Sequence, residues 1–175
     1  TDYGVASTWD FTDPETGKPI AEGTRVVYQL EVAPEYYVNE DGSVRWDELG
    51  HGTTMNFEMT IDNTKPQLTD KGMSLSADGK TLTVNARDNN YIAAMILLDG
   101  TGNYAYSYYY PDMATEEKGM AVTAHLDLEG FSQVYGNKAV VVVTDYAGNE
   151  AYYAINLGGE GSSYGDLVAY QYDIY

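Results

Sequence analysis

The sequence contains no cysteine, which excludes disulfide bonds, thiolate zinc sites and thiol catalysis. Basic residues are scarce as well: 9 Lys and Arg stand against 27 Asp and Glu, giving a net charge of -18. Phosphate-bearing partners require basic patches, so this balance excludes nucleic acid and disfavours anionic membrane surfaces. No apolar run is long enough to span a bilayer, and the sequence therefore predicts no membrane insertion.

Tyrosine and glycine are abundant, with 18 of each, and 43% of the residues are hydrophobic. This apolar content is enough to bury a core in one large or two small domains. An acidic, tyrosine-rich chain without cysteine is typical of exported bacterial proteins, so we expect a secreted or cell-wall location. No signal peptide is visible, and we expect the export signal to lie elsewhere in a longer polypeptide.

Apolar residues recur at every second position through much of the chain, which is the pattern of half-buried strands. The segments 82–86 and 122–128 alternate in this way. Two continuous apolar runs, 92–98 and 139–143, are short and bounded by turn residues, which favours central strands over helices. About seven strands at regular spacing predict an all-β fold, an immunoglobulin-like or fibronectin type III-like β-sandwich.

The stretch Asp62-Asn63-Thr64-Lys65-Pro66 marks a boundary between two segments. Residues 1–62 hold only about four strands by pattern, so we expect the closing part of a preceding fibronectin-like β module. Residues 63–158 form the sandwich. Residues 159–175 are predicted to be a flexible linker followed by a C-terminal strand or tail.

Acidic and amide side chains fall at positions that one end of such a sandwich would share. Successive strands run up and down, so the start of the first strand and the loops after the second, fourth and sixth strands lie at one pole. Those four places are 62–63, 88–90, 112–117 and 145–149.

Calcium takes about six to eight oxygen ligands, which carboxylates and amides supply. We therefore predict a calcium site from Asp62, Asn63, Asp88, Asp145 and Asn149. The alternative is that these side chains only close Asx turns and satisfy loop backbone.

Four tyrosines follow one another at every second position, which predicts that they share one face of a strand. They are Tyr104, Tyr106, Tyr108 and Tyr110. Because tyrosine offers a rigid contact area with a polar tip, the stripe is a candidate binding face for protein or carbohydrate. The alternative is cross-strand packing with the hydroxyl groups at the rim.

Gly50-His51-Gly52-Thr53 matches the short motif around the catalytic histidine of subtilisin-like proteases. A serine protease also needs its serine, its aspartate and an oxyanion hole, and no matching motif for the first two is present. No nucleophile elbow, phosphate loop, dinucleotide fingerprint or H-E-x-x-H zinc motif occurs either. We predict no catalytic residue, no enzymatic activity in this chain and no required cofactor, with calcium as the one cofactor that its residues suggest.

Six stretches carry a resemblance to a known family: 17–23, 26–30, 59–66, 82–84, 88–92 and 143–149. They resemble the fibronectin-like modules that follow the catalytic domain of bacterial cell-envelope subtilisin-like serine proteinases of the lactocepin type. The resemblance implies a secreted or wall-attached endopeptidase as the parent, whose catalytic triad has no matching positions here.

In that family such modules position the catalytic domain and help to engage protein substrates or host surface proteins. The partners implied for this chain are therefore the other domains of the parent polypeptide and a protein substrate or host protein. Asp-Asn-Thr-x-Pro and Asp-x-Ala-Gly-Asn also occur in other bacterial immunoglobulin-like repeats. The alternative function is accordingly a repeat of a bacterial adhesin or glycan-binding surface protein.

Overall fold

The computed structural model describes residues 10–32, 38–43, 53–111, 121–158 and 165–172. The chain divides into two compact units, Thr1–Asp62 and Asn63–Tyr175. Across the described residues there are eleven strands in three antiparallel sheets and one short helix. The prediction of an all-β sandwich is confirmed.

The described part of the first unit contains an antiparallel pair, β1 (Arg25–Val32) and β2 (Thr53–Thr60). Directly opposed residues point to the same side, and the register places Tyr28 opposite Phe57 within a row of apolar pairs. The other face is mostly polar and includes an exposed ion pair between Arg25 and Glu58. Exposed ion pairs contribute little to stability, so the alternation of side chains is what defines this ribbon.

The second unit is a β-sandwich followed by two short strands. Its strands are β3 (Gln67–Leu75), β4 (Thr81–Arg87), β5 (Ile92–Asp99), β6 (Ala105–Tyr109), β7 (Ala121–Asp127), β8 (Lys138–Asp145), β9 (Glu150–Asn156), β10 (Gly165–Leu167) and β11 (Tyr170–Tyr172). One sheet has the order β10-β3-β4-β7 and the other β11-β9-β8-β5-β6. Without β10 and β11 the strands divide three and four, which makes a seven-stranded sandwich.

The core lies between these two sheets and follows from the alternation in the sequence. β4, β7 and β9 each bury every second side chain, while the valine-rich β8 is buried along most of its length. Fully buried residues include Met95 and Leu126, and each such side chain contributes roughly 1.5–3 kcal/mol through removal from water.

A single-turn helix, α1 (Phe131–Tyr135), joins β7 to β8. The sequence did not predict it, because five residues are too few for a helical period to appear. Gly130 precedes it with φ 83°, a left-handed conformation that glycine adopts at little cost. The helix places Phe131 fully inside the core.

Irregular registers interrupt two strand pairs. In β3 the register to β4 shifts between Leu68 and Met73, so the residues between them form a bulge within this strand. In the pairing of β5 with β6, Leu97 faces Ser107 and Leu98 faces Ala105, which leaves Tyr106 as an extra residue. A β-bulge of this kind reverses the alternation on one side of it.

The last described segment adds one strand to each sheet. Gly165–Leu167 pairs with β3, and Tyr170–Tyr172 pairs with β9. Residues 159–164, predicted as a linker, lie outside the described residues.

Candidate metal site

Four strands begin or end at one pole of the sandwich. Gln67 at the start of β3 lies opposite Arg87 at the end of β4, and Ile92 at the start of β5 lies opposite Asp145 at the end of β8. Asp88 follows β4 directly, and Asp62 stands immediately before the second unit. The up-and-down order of the strands therefore delivers these aspartates to the same end of the fold.

Asp62, Asp88 and Asp145 form a cluster of carboxylates. One oxygen from each residue lies within 4.8 Å of the corresponding oxygens of the other two, and all three residues are buried. Burying like charges this close together is costly unless a cation, a proton or hydrogen bonds compensate. We call this group the aspartate cluster.

The turn after β8 holds Asp145 in place. The backbone N–H of Asn149 donates to Oδ1 of Asp145 at 2.8 Å, and the side-chain Nδ2 of Asn149 donates to Oδ2 at 2.7 Å. The backbone N–H of Asp145 donates back to the carbonyl of Asn149 at 3.1 Å, and Gly148 completes the turn with φ 91°. Asn149 therefore acts as a positioning residue for Asp145 in this structure.

Asp88 is held by its own loop, since the backbone N–H of Asn90 donates to its Oδ2 at 2.9 Å. Oδ1 of Asp88 and Oδ2 of Asp62 are buried oxygens that accept no hydrogen bond, although both residues have other polar interactions. Asn63, the remaining residue of the predicted ligand set, is exposed beside Asp62.

The donor set of the cluster consists of carboxylate oxygens alone, which suits a hard cation. Three carboxylates can supply up to about six oxygens, and calcium completes its shell with carbonyl groups and water at about 2.3–2.6 Å. An open cleft of about 390 Å³ lies next to Asp88. Its lining residues are Thr64, Lys65, Gln67, Arg87, Asp88 and Asn89.

Asp99 is an aspartate whose burial and hydrogen bonds are fully explained by the turn that it closes. It is buried at the end of β5, where Oδ1 accepts hydrogen bonds from the backbone N–H groups of Asn103 and Tyr104 at 2.9 and 3.2 Å. Its Oδ2 accepts from the Thr101 hydroxyl at 2.7 Å, and this bond holds the pKa of Asp99 below its ordinary value. The Asx-turn alternative therefore describes Asp99 well, whereas it leaves the convergence of the aspartate cluster unexplained.

Two other sequence candidates fall outside the described residues: His51, and the acidic segment 112–117 that was predicted to share the pole. His125 is described, and it lies exposed on β7 with its Nδ1 3.1 Å from the Thr83 hydroxyl. It therefore sits on the polar outer side of the four-stranded sheet, as the alternation of its strand indicates.

The predicted stripe of four tyrosines is split by the bulge in β6. Tyr106 packs against the core, with its ring 5.2 Å from that of Phe131 and its hydroxyl donating to the Glu129 carbonyl. Tyr104, Tyr108 and Tyr110 are exposed. The prediction that Tyr106 shares their face is wrong, because the extra residue reverses the alternation; a binding role for the other three stays a prediction.

No protein-family model, curated protein or solved structure matches this chain. Within the described ranges, none of the helical structure is long and apolar enough to cross a membrane.

Proposed function

We propose that this chain is a non-catalytic structural and interaction module of a secreted or cell-envelope subtilisin-like serine endopeptidase, which positions the catalytic domain or helps to engage protein substrate. The observation that carries the proposal is the convergence of Asp62, Asp88 and Asp145. Each of them belongs to a different stretch that resembles the family, namely 59–66, 88–92 and 143–149. Three stretches that are far apart in the sequence thus each contribute one aspartate to the same cluster.

Within this proposal the aspartate cluster binds calcium. An ion held by all three carboxylates would tie together the entry to β3, the end of β4 and the end of β8. Because these segments are remote in sequence, the unfolded chain lacks the site, and an ion that binds only the folded chain stabilises it. The expected benefit is a stiff entry to the sandwich under the high calcium concentrations found outside cells.

Thermal unfolding of the purified chain tests the calcium site. We expect the midpoint to rise in millimolar CaCl₂ relative to EDTA, at matched ionic strength so that general screening of the -18 charge is equal in both. If the calcium concentration is 100 times the Kd, the gain in unfolding free energy is about 2.7 kcal/mol.

Substitutions of single aspartates distinguish calcium binding at the aspartate cluster from general effects of calcium on the chain. Asp88→Asn and Asp145→Asn should lose most of the calcium response, because each removes a charged ligand while keeping a similar shape. Asp99→Asn is the matched control, a buried aspartate at the end of a strand that serves only its own turn, and it should keep the full response. Equal responses in all three variants, or no response in the unaltered chain, would contradict calcium binding at this cluster.

The assignment to a protease is tested by the complete coding sequence. We expect the aspartate, histidine and serine motifs of a subtilisin-like catalytic domain to precede these residues in the same reading frame. Their absence, together with further copies of the β-sandwich, would instead favour the adhesin repeat. This test is independent of calcium, since a calcium site could exist in either kind of protein.

A further inference from the structure

The outer face of the five-stranded sheet is apolar across its full width. In register, a row of side chains points away from the core on all five strands. From one edge to the other it consists of Tyr108, Ile96, Val142, Tyr152 and Tyr172. The core-facing neighbours of these residues occupy the interior cluster, which fixes the direction in which this row points.

A second row lies beside the first and also consists of apolar and tyrosine side chains. It consists of Ala105, Leu98, Val140, Ala154 and Tyr170. No charged side chain occurs in either row. We call the two rows together the tyrosine-rimmed face, because aliphatic residues lie at the centre and tyrosines at the edges.

The four-stranded sheet provides the comparison within the same molecule. Its outward pairs are polar, for example Thr83 opposite His125 and Asn85 opposite Thr123. Antiparallel sheets in sandwiches normally have one buried apolar face and one solvated polar face. The four-stranded sheet follows this pattern. The five-stranded sheet departs from it, because its outward side chains are apolar; the valines at its centre are buried, and the exposed apolar area lies at its edges, where it marks a contact surface.

Tyrosine rings dominate the accessible part of this face. Val140 and Val142 are buried at its floor, whereas Tyr108 and Tyr170 at its edges are 52% and 68% exposed. Tyr110 directly follows β6 and lies outside the two rows, but it is 68% exposed and its ring stacks on that of Tyr108. The rings of Tyr108 and Tyr110 are parallel within 7°, with centroids 6.2 Å apart. Because the two rings are stacked, the outer face of each ring and the hydroxyl-bearing edges are the parts that a ligand can contact.

Size and charge argue against a protein or a second copy as the occupant. Five strands about 4.8 Å apart and two rows about 7 Å apart make a strip on the order of 300 Å². A stable protein interface buries about 800 Å² per partner, so the strip is too small. A second copy would also bring another net charge of -18, which repels.

We propose that the tyrosine-rimmed face binds a neutral polysaccharide. A pyranose ring has apolar C–H faces and a rim of hydroxyl groups, which match the flat rings and hydroxyl tips of the tyrosines. Its lack of charge avoids repulsion by this acidic chain, and a few sugar units have the dimensions of the strip. The inference does not depend on the aspartate cluster, and it holds for a protease module as well as for an adhesin repeat.

Calorimetric titration of the full chain with cellohexaose, chitohexaose and mannohexaose tests the inference. We expect at least one of these neutral hexasaccharides to bind, and the Tyr108→Ala/Tyr110→Ala double variant to lose at least tenfold in affinity. Tyr146→Ala is the matched control, because Tyr146 is 55% exposed but lies in the turn after β8 and belongs neither to the two rows nor to the stacked pair of Tyr108 and Tyr110. It should bind as the unaltered chain does.

Three results would overturn the proposal. The first is that none of the hexasaccharides binds at millimolar concentration. The second is that the double variant, shown to be folded by its melting curve, binds as tightly as the Tyr146→Ala control. The third is that the hexasaccharides give no signal while the unaltered chain either forms a dimer in sedimentation or binds unfolded casein in titration. If the double variant abolishes that dimer or that binding, the face binds a protein partner.

Discussion

Tyr153 is a single side chain that ties the start of the sandwich to its centre. It is buried on β9, and its hydroxyl accepts a hydrogen bond from the backbone N–H of Leu68 at 3.2 Å. The same hydroxyl donates to the carbonyl of Pro66 at 3.5 Å. One tyrosine thus fixes two backbone groups where the chain enters β3, which keeps that strand in register.

We expect Tyr153→Phe to lower the unfolding free energy by about 1 kcal/mol, because it leaves the Leu68 N–H without its acceptor and keeps the ring. Urea denaturation followed by circular dichroism measures the change. Tyr152→Phe is the control, since the Tyr152 hydroxyl donates to the exposed Glu150 carboxylate and should cost less than about 0.5 kcal/mol. A larger loss from Tyr152 than from Tyr153 would refute this account.

At the scale of the element, the bulge in β3 is built from the sequence Thr69-Asp70-Lys71-Gly72 and fixed by its neighbours. Gly72 has φ 54°, a left-handed conformation that non-glycine residues adopt at a cost. Its carbonyl accepts a hydrogen bond from Asn85 Nδ2 at 3.3 Å, and Asn85 Oδ1 accepts from the Thr123 hydroxyl at 2.8 Å. The bulge is therefore supported from β4 and β7 in turn.

Gly72→Ala should destabilise the chain by about 1–2 kcal/mol, which is the cost of placing a Cβ in the left-handed region. A Cβ at this position meets no atom within 4 Å, so the expected loss reflects backbone strain and not a clash. Gly72→Asn should cost less, because asparagine tolerates this conformation better than alanine. Equal melting temperatures for the two variants would show that strain is not the cause.

At the scale of the whole molecule, acidity and tyrosine content combine to limit stability at high pH. The hydrogen bond to the Glu150 carboxylate raises the pKa of Tyr152 to about 12. Burial raises the pKa of Tyr153 and of Tyr172 above the ordinary value of 10.0. Every tyrosinate that forms also adds a negative charge to a chain that already carries -18.

The direction of the pH effect follows from proton binding. Between pH 10 and about 12 the unfolded chain releases protons from these tyrosines that the folded chain retains, so the unfolding free energy is undiminished below pH 10 and falls above it. Urea midpoints at about pH 9 and about pH 11 check this. Glu150→Gln removes the main cause of the high pKa of Tyr152 and should make the fall smaller; an unchanged or larger fall would contradict the assignment.

Much of this fold can be predicted from the sequence because burial imposes a period of two. The alternation in β4 and β7 and the valine run of β8 each identify a strand and its buried side. The same up-and-down logic indicated that Asp62, Asp88 and Asp145 would lie at one pole, and the structure places their carboxylates within 4.8 Å of one another. Whether calcium binds there stays a prediction.

Two features could not be predicted from the sequence, because one depends on a single extra residue in a strand and the other on how several strands pair. The bulge at Tyr106 reverses an alternation that looks continuous in the sequence, so the stripe of four tyrosines divides between core and surface. The tyrosine-rimmed face is visible only once the registers of five strands are known, because each strand by itself contributes just two of its residues.

The two short strands at the end of the described chain affect how the protein folds during synthesis. β10 pairs with the first strand of the sandwich and β11 with the last, so both sheets gain their outermost partners from the same late segment. The pairing of β10 with β3 joins residues far apart in sequence, such as Gly165 and Leu75, and such pairings close slowly because the loop entropy is lost before the contacts form. During synthesis, β3 and β9 would therefore expose open backbone edges until translation passes Tyr172, and this interval is when the nascent chain is most vulnerable to aggregation.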